Sequence, residues 1–350
     1  MKKLVQLVSI VLLVFACRKE SPDPVYDPQP ADVHIPAHVV AAVGPMQPSP
    51  GNPMTKDGVI LGRKLFYEKM LSNDGSMSCA SCHRQQHAFD DPRPFSEGTD
   101  GSFGDRNSMA IVNLGWDFFY FWDGRRSSLE EQAHDPVTNP VEMANSWPVV
   151  VERLQQSMEY RELFLKAFGT RKVDSNLVVR AISQFERTLV SFNSRFDRFM
   201  YEKDSGALTV SEKNGLALYT GKARCAGCHQ MNPLLTNRGI RNNGIEVTES
   251  DPGRMRVTGN IADKGRFKVP TLRNIEVTAP YMHDGRFATL EEVVSFYNKG
   301  IKGINPNPNG DAPGFGSRLE LTPEEQSDLV AFLKSLTDHQ FLTNPEYSEP

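Results

Sequence analysis

The chain has 350 residues, 39 % of them hydrophobic, and a formal net charge of -4. That length accommodates two domains with proper cores. The charge balance has no basic excess, so nucleic-acid binding has no support.

The chain opens on "MKKLVQLVSIVLLVFAC": two lysines, an apolar run from Leu4 to Ala16, then Cys17. The run is too short to span a bilayer and has the form of a secretory h-region. It resembles a bacterial lipoprotein signal, with "VFAC" as lipobox and Cys17 as the acylated residue. Residues 1–17 are therefore expected to direct export, with lipid anchoring to an envelope membrane of the periplasm. From Ser21 to Pro53 nine prolines and little apolar periodicity predict an extended tether over 18–53.

Beyond the tether the pattern is helical. "LGRKLFY" predicts a helix before "SCASCHR" (78–84), and "GLALYTG" predicts another before "RCAGCHQ" (224–230). "DSNLVVRAISQFERTLVSF" places Leu177, Val178, Ala181, Ile182, Phe185 and Leu189 on one face after an Asp174/Ser175 cap. "TLEEVVSFY" has Thr289 as cap with Glu292 three residues on; "TPEEQSDLVAFLKSL" has Thr322 as cap, Pro323 first and Glu325 closing a capping box. Loops such as "INPNPNGDAPGFG" separate the helices, and alternating strand patterns are scarce. The class is mainly α with long loops, in two related lobes: 54–203 and 204–350.

Each lobe carries one C-x-x-C-H unit, Cys79, Cys82 and His83 in the first and Cys225, Cys228 and His229 in the second. The unit binds haem c: each cysteine forms a thioether to a vinyl group, and the histidine becomes an axial ligand of the iron. Two C-x-x-C pairs could instead assemble a four-thiolate zinc site or serve as redox dithiols. Histidine is 8 of 350 residues, so its presence after both pairs by chance is roughly one in two thousand. With Cys17 assigned to the anchor, no cysteine remains for a disulfide.

Between and after the motifs stand "RNSMAIVN" (106–113), "FWDGR" (121–125), "EQAHDPVTNPVEM" (131–143) and "FKVPTLRNIEVTAPYMHDGRFATLEEVV" (267–294). In this order they resemble the bacterial dihaem cytochrome c peroxidase family, including its MauG-like branch, over roughly residues 55–337. The resemblance implies two cytochrome c-like haem domains. The His83 haem reacts with hydrogen peroxide and the His229 haem relays or stores oxidising equivalents. It also implies that Trp122 lies between the haems, that Glu142 is the distal acid and that Gln132 belongs to the distal pocket. A carboxyl over an open iron can move a proton from the near to the departing oxygen of peroxide. Asn113 and the backbone of Thr278 and Pro280 match the family's calcium site, and hard oxygen ligands of this kind suit calcium. His283 is expected to orient groups near the second haem or to be a buried structural histidine.

Two departures from the family pattern stand out. The stretch "PFSEGTDGSFGDRNS" (94–108) lacks the histidine that caps the peroxidatic haem in many members, so an open His83 haem is expected. His87, four residues from His83, is on the proximal side and a poor substitute. At the second haem, the position of the family methionine ligand is Tyr297, as in MauG, with Met282 as rival ligand; a plain core tyrosine is the third reading. A phenolate favours higher iron oxidation states, whereas methionine raises the potential. Val293 and Tyr297 share a helix face. The surface tryptophan through which MauG draws electrons is replaced by Ala223. The electron donor is thus expected to be a protein or a small reductant, without carry-over of the MauG substrate. The competing class is an anchored electron-transfer cytochrome with both irons six-coordinate.

Overall fold

The computed structural model describes residues 25–47, 49–246, 250–299 and 318–350. The expected signal segment and the "INPNPNGDAPGFG" loop lie outside the described residues.

The first lobe is organised by two crossing helices. Helix α2 (Lys56–Phe66) begins at Thr55, whose hydroxyl accepts from the Gly58 N–H, with Asp57 in its first turn. Its Leu61, Leu65 and Phe66 face inward. Asp174 caps α7 (Ser175–Thr188) through the Leu177 N–H at 2.9 Å, as the sequence predicts, and Val178, Ala181, Ile182 and Phe185 are buried. The helices touch backbone to backbone at Gly62, where a Cβ would lie 1.8 Å from the Ala181 carbonyl oxygen. Only glycine allows that approach. The one-turn α3 (Cys79–Cys82), α4 (Leu129–Thr138), α5 (Trp147–Gln156) and α6 (Met158–Phe168) complete the lobe, and α8 (Arg195–Tyr201) leads out of it.

The second lobe repeats the device. Helix α9 (Val210–Thr220) crosses α12 (Pro323–Lys334) at Gly215, where a Cβ would lie 2.0 Å from the Asp328 carbonyl oxygen. Thr322 and Glu325 form the expected capping box, and Thr289 and Glu292 exchange the equivalent bonds before α11 (Leu290–Lys299). Helix α10 (Met255–Thr258) and a two-residue antiparallel pair, β1 (Ile240–Arg241) with β2 (Phe267–Lys268), lie between.

Both ends of the described chain depart from the sequence expectation. Residues 25–47 and 49–53, part of the segment read as an extended tether, pack on the body: helix α1 (Ala37–Val43) buries Val39 against Trp116, Phe192 and Leu234. His38 stacks on Tyr201 at 4.0 Å, and the Tyr26 hydroxyl donates to the Ala167 carbonyl. Prolines mask the few apolar anchors here, which is why periodicity misses them. At the other end, α13 (His339–Thr343) returns to the first lobe, where Phe341 joins the core beside Phe89. Arg63 and Tyr67 of the first lobe donate to the carbonyls of Ser348 and Tyr347.

Candidate active site

One cavity of about 890 Å³ runs through the junction of the lobes, lined by both C-x-x-C-H units and by Trp122, Gln132, Glu142 and Tyr297. Among the described residues the four cysteines of the motifs form no disulfide. Among the described residues no three His, Cys, Asp or Glu side chains are grouped as a metal site, so the two C-x-x-C pairs do not come together as the four-thiolate zinc alternative would need.

The proximal sides fit haem. His83 Nδ1 donates to the Phe89 carbonyl at 2.7 Å, and His229 Nδ1 donates to the Pro270 carbonyl at 3.1 Å. Each bond fixes the tautomer and leaves Nε2 free to coordinate. Burial lowers both imidazole pKa values, His229 to about 4, so both rings are neutral and able to ligate. The Tyr219 hydroxyl donates to the His229 carbonyl and steadies the second motif. Paired thiols for thioether formation, an oriented imidazole and a largely apolar cavity are what haem c requires.

The distal sides are built from a repeat that motif reading missed: "YFWDGR" (120–125) and "YMHDGR" (281–286). In both, the tyrosine hydroxyl bonds a carbonyl six residues upstream, Leu114 at 3.1 Å and Ile275 at 2.9 Å. The second residue of each has positive φ, 65° at Phe121 and 75° at Met282. A capped helix follows each, α4 and α11, both starting Leu-Glu-Glu. The seventh residue after that leucine is Pro136 in α4 and Tyr297 in α11, and both line the cavity. One copy offers a phenol; the other offers a ring without any ligating atom.

Around Pro136, Gln132 lies one turn earlier on the same helix face and Glu142 follows in the turn after the helix. The Glu142 carboxyl accepts from Asn139 Nδ2 at 2.6 Å. Burial raises its pKa above the usual carboxylate range, opposed by the Asn139 bond and the Arg125 charge. The 94–108 loop is fixed over this segment: the Thr99 N–H donates to the Glu142 carbonyl at 3.0 Å, and Arg106 pairs with buried Asp123 and with Asp251 of the second lobe, both at 2.6 Å. His87 is absent from the cavity wall and bonds the Val277 carbonyl at 3.2 Å, so it offers no distal ligand.

Trp122 stands where the lobes meet. Its indole N–H donates to the Asn107 carbonyl at 2.8 Å, its own carbonyl accepts from the Lys268 N–H at 2.7 Å, and the Asn107 N–H donates to the His283 carbonyl at 2.7 Å. His283 is buried and stacked on Phe267 at 3.9 Å. Asn107 was not singled out from sequence, where one asparagine in a polar loop carries no signal.

At the second haem, Tyr297 and Met282 converge on Asn243, whose Nδ2 lies 3.2 Å from the phenol oxygen and 3.7 Å from the Met282 sulfur. Burial pushes the Tyr297 phenol up to about 12, with the Asn243 bond pulling the other way. Ala223 is fully buried, so no side chain reaches the surface at that position.

The expected calcium ligand Asn113 has its amide engaged elsewhere: Oδ1 accepts from the Ser191 N–H at 2.8 Å and Nδ2 donates to the Ser191 carbonyl at 3.2 Å. Its side chain clamps a turn and does not present an oxygen to a cation. Sequence reading also missed Glu186 on α7, a buried carboxyl on the cavity wall whose Oε2 has no hydrogen-bond partner among the described residues. Burial pushes it to about 8, so it is neutral at pH 7. A charge on the apolar face of "AISQFERTL" was the available signal.

Two C-x-x-C-H units on one cavity, alike in their oriented histidines and unlike in the walls opposite, are the features of a di-haem c-type cytochrome with unequal halves. Residues 56–205 match the family model for di-haem cytochrome c peroxidase and residues 212–337 match that for cytochrome c. The chain is 38 % identical to cytochrome c551 peroxidase of Nitrosomonas europaea, over 90 % of this chain and 89 % of that protein. It is 37 % identical to the methylamine utilization protein MauG of Methylorubrum extorquens, over 81 % and 79 %. The crystal structure of a MauG-like protein associated with microbial copper homeostasis superposes with a TM-score of 0.80 at 34 % identity, covering 91 % of this chain and 99 % of that one. The chain belongs to the di-haem cytochrome c peroxidase family. Its mainly helical fold, its two haem c groups and its standing as an oxidoreductase follow.

Proposed function

We propose that the protein reduces hydrogen peroxide at the haem held by His83, taking two electrons and two protons to give two waters. The observation that carries this reading is the distal asymmetry: Pro136 supplies no ligand where Tyr297 stands in the other half, and half-buried Glu142 adjoins that open face. The haem iron, when bound, supplies the coordination position for peroxide and accepts and donates the electrons. Glu142 takes the proton from the near oxygen and returns it to the departing one, with Asn139 holding its carboxyl and Gln132 ordering the pocket. Trp122, bonded to Asn107, lies in the wall between the halves and shortens electron transfer between them. An electron-donor protein or small reductant restores the resting state. Relatives named as peroxidases favour this over a simple electron carrier.

Tyr297 is the distal ligand of the second haem in this reading, with Met282 the rival. Tyr297→Phe is expected to change that haem's ligand-sensitive absorption and leave the first haem's unaltered. An unchanged spectrum would assign the position to Met282 or leave it open.

Calcium enters the reading through Asn107 in place of Asn113. Asn107 Oδ1 has no hydrogen-bond partner among the described residues, and Asn107, Thr278 and Pro280 line the same cavity. Metal analysis of the isolated protein is expected to find calcium, with Asn107→Ala losing it and Asn113→Ala retaining it; absence of calcium from the parent protein would remove the site. Export and anchoring through Cys17 to a periplasmic membrane face rest on the N-terminal sequence alone. No helix among the described residues is long and apolar enough to cross a membrane.

A further inference from the structure

We infer that Asn243 is the positioning residue that selects Tyr297 over Met282 as the ligand of the second haem; the inference rests on the reading that Tyr297 is that ligand. Asn243 lies on the loop after β1, inside the second lobe. Its amide orientation is set by the chain itself, because Oδ1 accepts from the Ile245 N–H at 3.2 Å in a local Asx turn. Nδ2 is therefore the atom turned to the cavity, and an amide nitrogen only donates. It donates to the Tyr297 oxygen at 3.2 Å and to the Met282 sulfur at 3.7 Å.

The two bonds act in the same direction. A donor at the phenol oxygen stabilises the negative charge that a phenolate ligand carries, while leaving the oxygen a further lone pair for the iron. A donor at the thioether occupies one of the weak lone pairs that methionine would use to ligate. Met282 stands in the "YMHDGR" turn at φ 75°. Tyr297 by contrast projects from the regular helix α11. Asn243 sits between the two candidates and biases the choice to oxygen.

The test uses the full-length oxidised protein with both haems attached. Asn243→Ser keeps the turn, since a serine hydroxyl caps the same N–H, but is too short to reach Tyr297; Asn243→Leu removes turn and donor together. Both are expected to weaken the phenolate-to-iron charge-transfer absorption and to raise the second haem's midpoint potential. Each tenfold loss of ferric preference corresponds to about 59 mV. A sulfur-to-iron charge-transfer band is expected to grow in, and to vanish when Met282→Leu is added. Tyr297→Phe is measured alongside. If Tyr297→Phe alters spectrum and potential while both Asn243 variants match the parent, the selection role is refuted and the ligand reading stands. If Tyr297→Phe changes nothing, the ligand reading fails and the selection role falls with it.

Discussion

Glu142→Gln is expected to slow peroxide cleavage by about 10²- to 10⁴-fold while both haems remain attached. The amide retains the size of the carboxyl and can still pair with Asn139, so the turn at 139–144 keeps its shape. What it loses is the ability to exchange a proton. Burial raises the Glu142 pKa, and the sign of the pH dependence follows. To take the first proton from peroxide the carboxyl must be ionised, so kcat/KM in the parent falls as pH drops through a pKa above the usual carboxylate range. The Gln variant lacks that acid limb. Stopped-flow rates between pH 4 and 8 read both effects; a parent-like rate in Glu142→Gln would remove this residue from the chemistry.

Asp197→Ala is expected to cost about 3–5 kcal/mol of stability, because it strands a buried guanidinium. Arg273 is 1 % exposed and pairs twice with Asp197, one bond at 2.8 Å, while its Nε donates to the Pro233 carbonyl at 2.7 Å. Burial alone would raise the Asp197 pKa; the Arg273 charge and the Ser194 bonds overcome this and hold it below the usual range. The pair ties the segment after β2 to α8, the element joining the lobes, and the Pro233 bond adds the loop after the second haem motif. Urea titration of Asp197→Ala should show a clearly lower midpoint, and adding Arg273→Leu should recover part of the loss because no buried charge is left unpaired. An unfolding free energy within about 0.5 kcal/mol of the parent would mean that water reaches the pair.

Much of the helical frame was legible before the structure. Asp174, Thr289 and Thr322 announce three helices through capping chemistry that depends on local sequence alone. The haem attachment residues are equally explicit, because covalent attachment requires fixed spacing. What escaped depends on tertiary contact. The packing of Val39 and Phe341 onto lobes distant in sequence has no periodic signature, and the engagement of Asn113 by Ser191 appears only when residues 78 apart meet. The counterpart relation of Pro136 to Tyr297 was available in the sequence as the "YFWDGR"/"YMHDGR" repeat, but its meaning required seeing both residues on one cavity wall. Asn243 had no signal at all, since its role arises from two side chains that converge on it.

The asymmetry of the two haems is the central claim, and electron paramagnetic resonance of the oxidised protein before and after one equivalent of peroxide tests it most directly. The account predicts one high-spin ferric signal from the haem on His83 and one low-spin signal from the haem on His229, both largely lost on adding peroxide without prior reduction. Two low-spin signals indifferent to peroxide would contradict it, because both distal faces would then be closed.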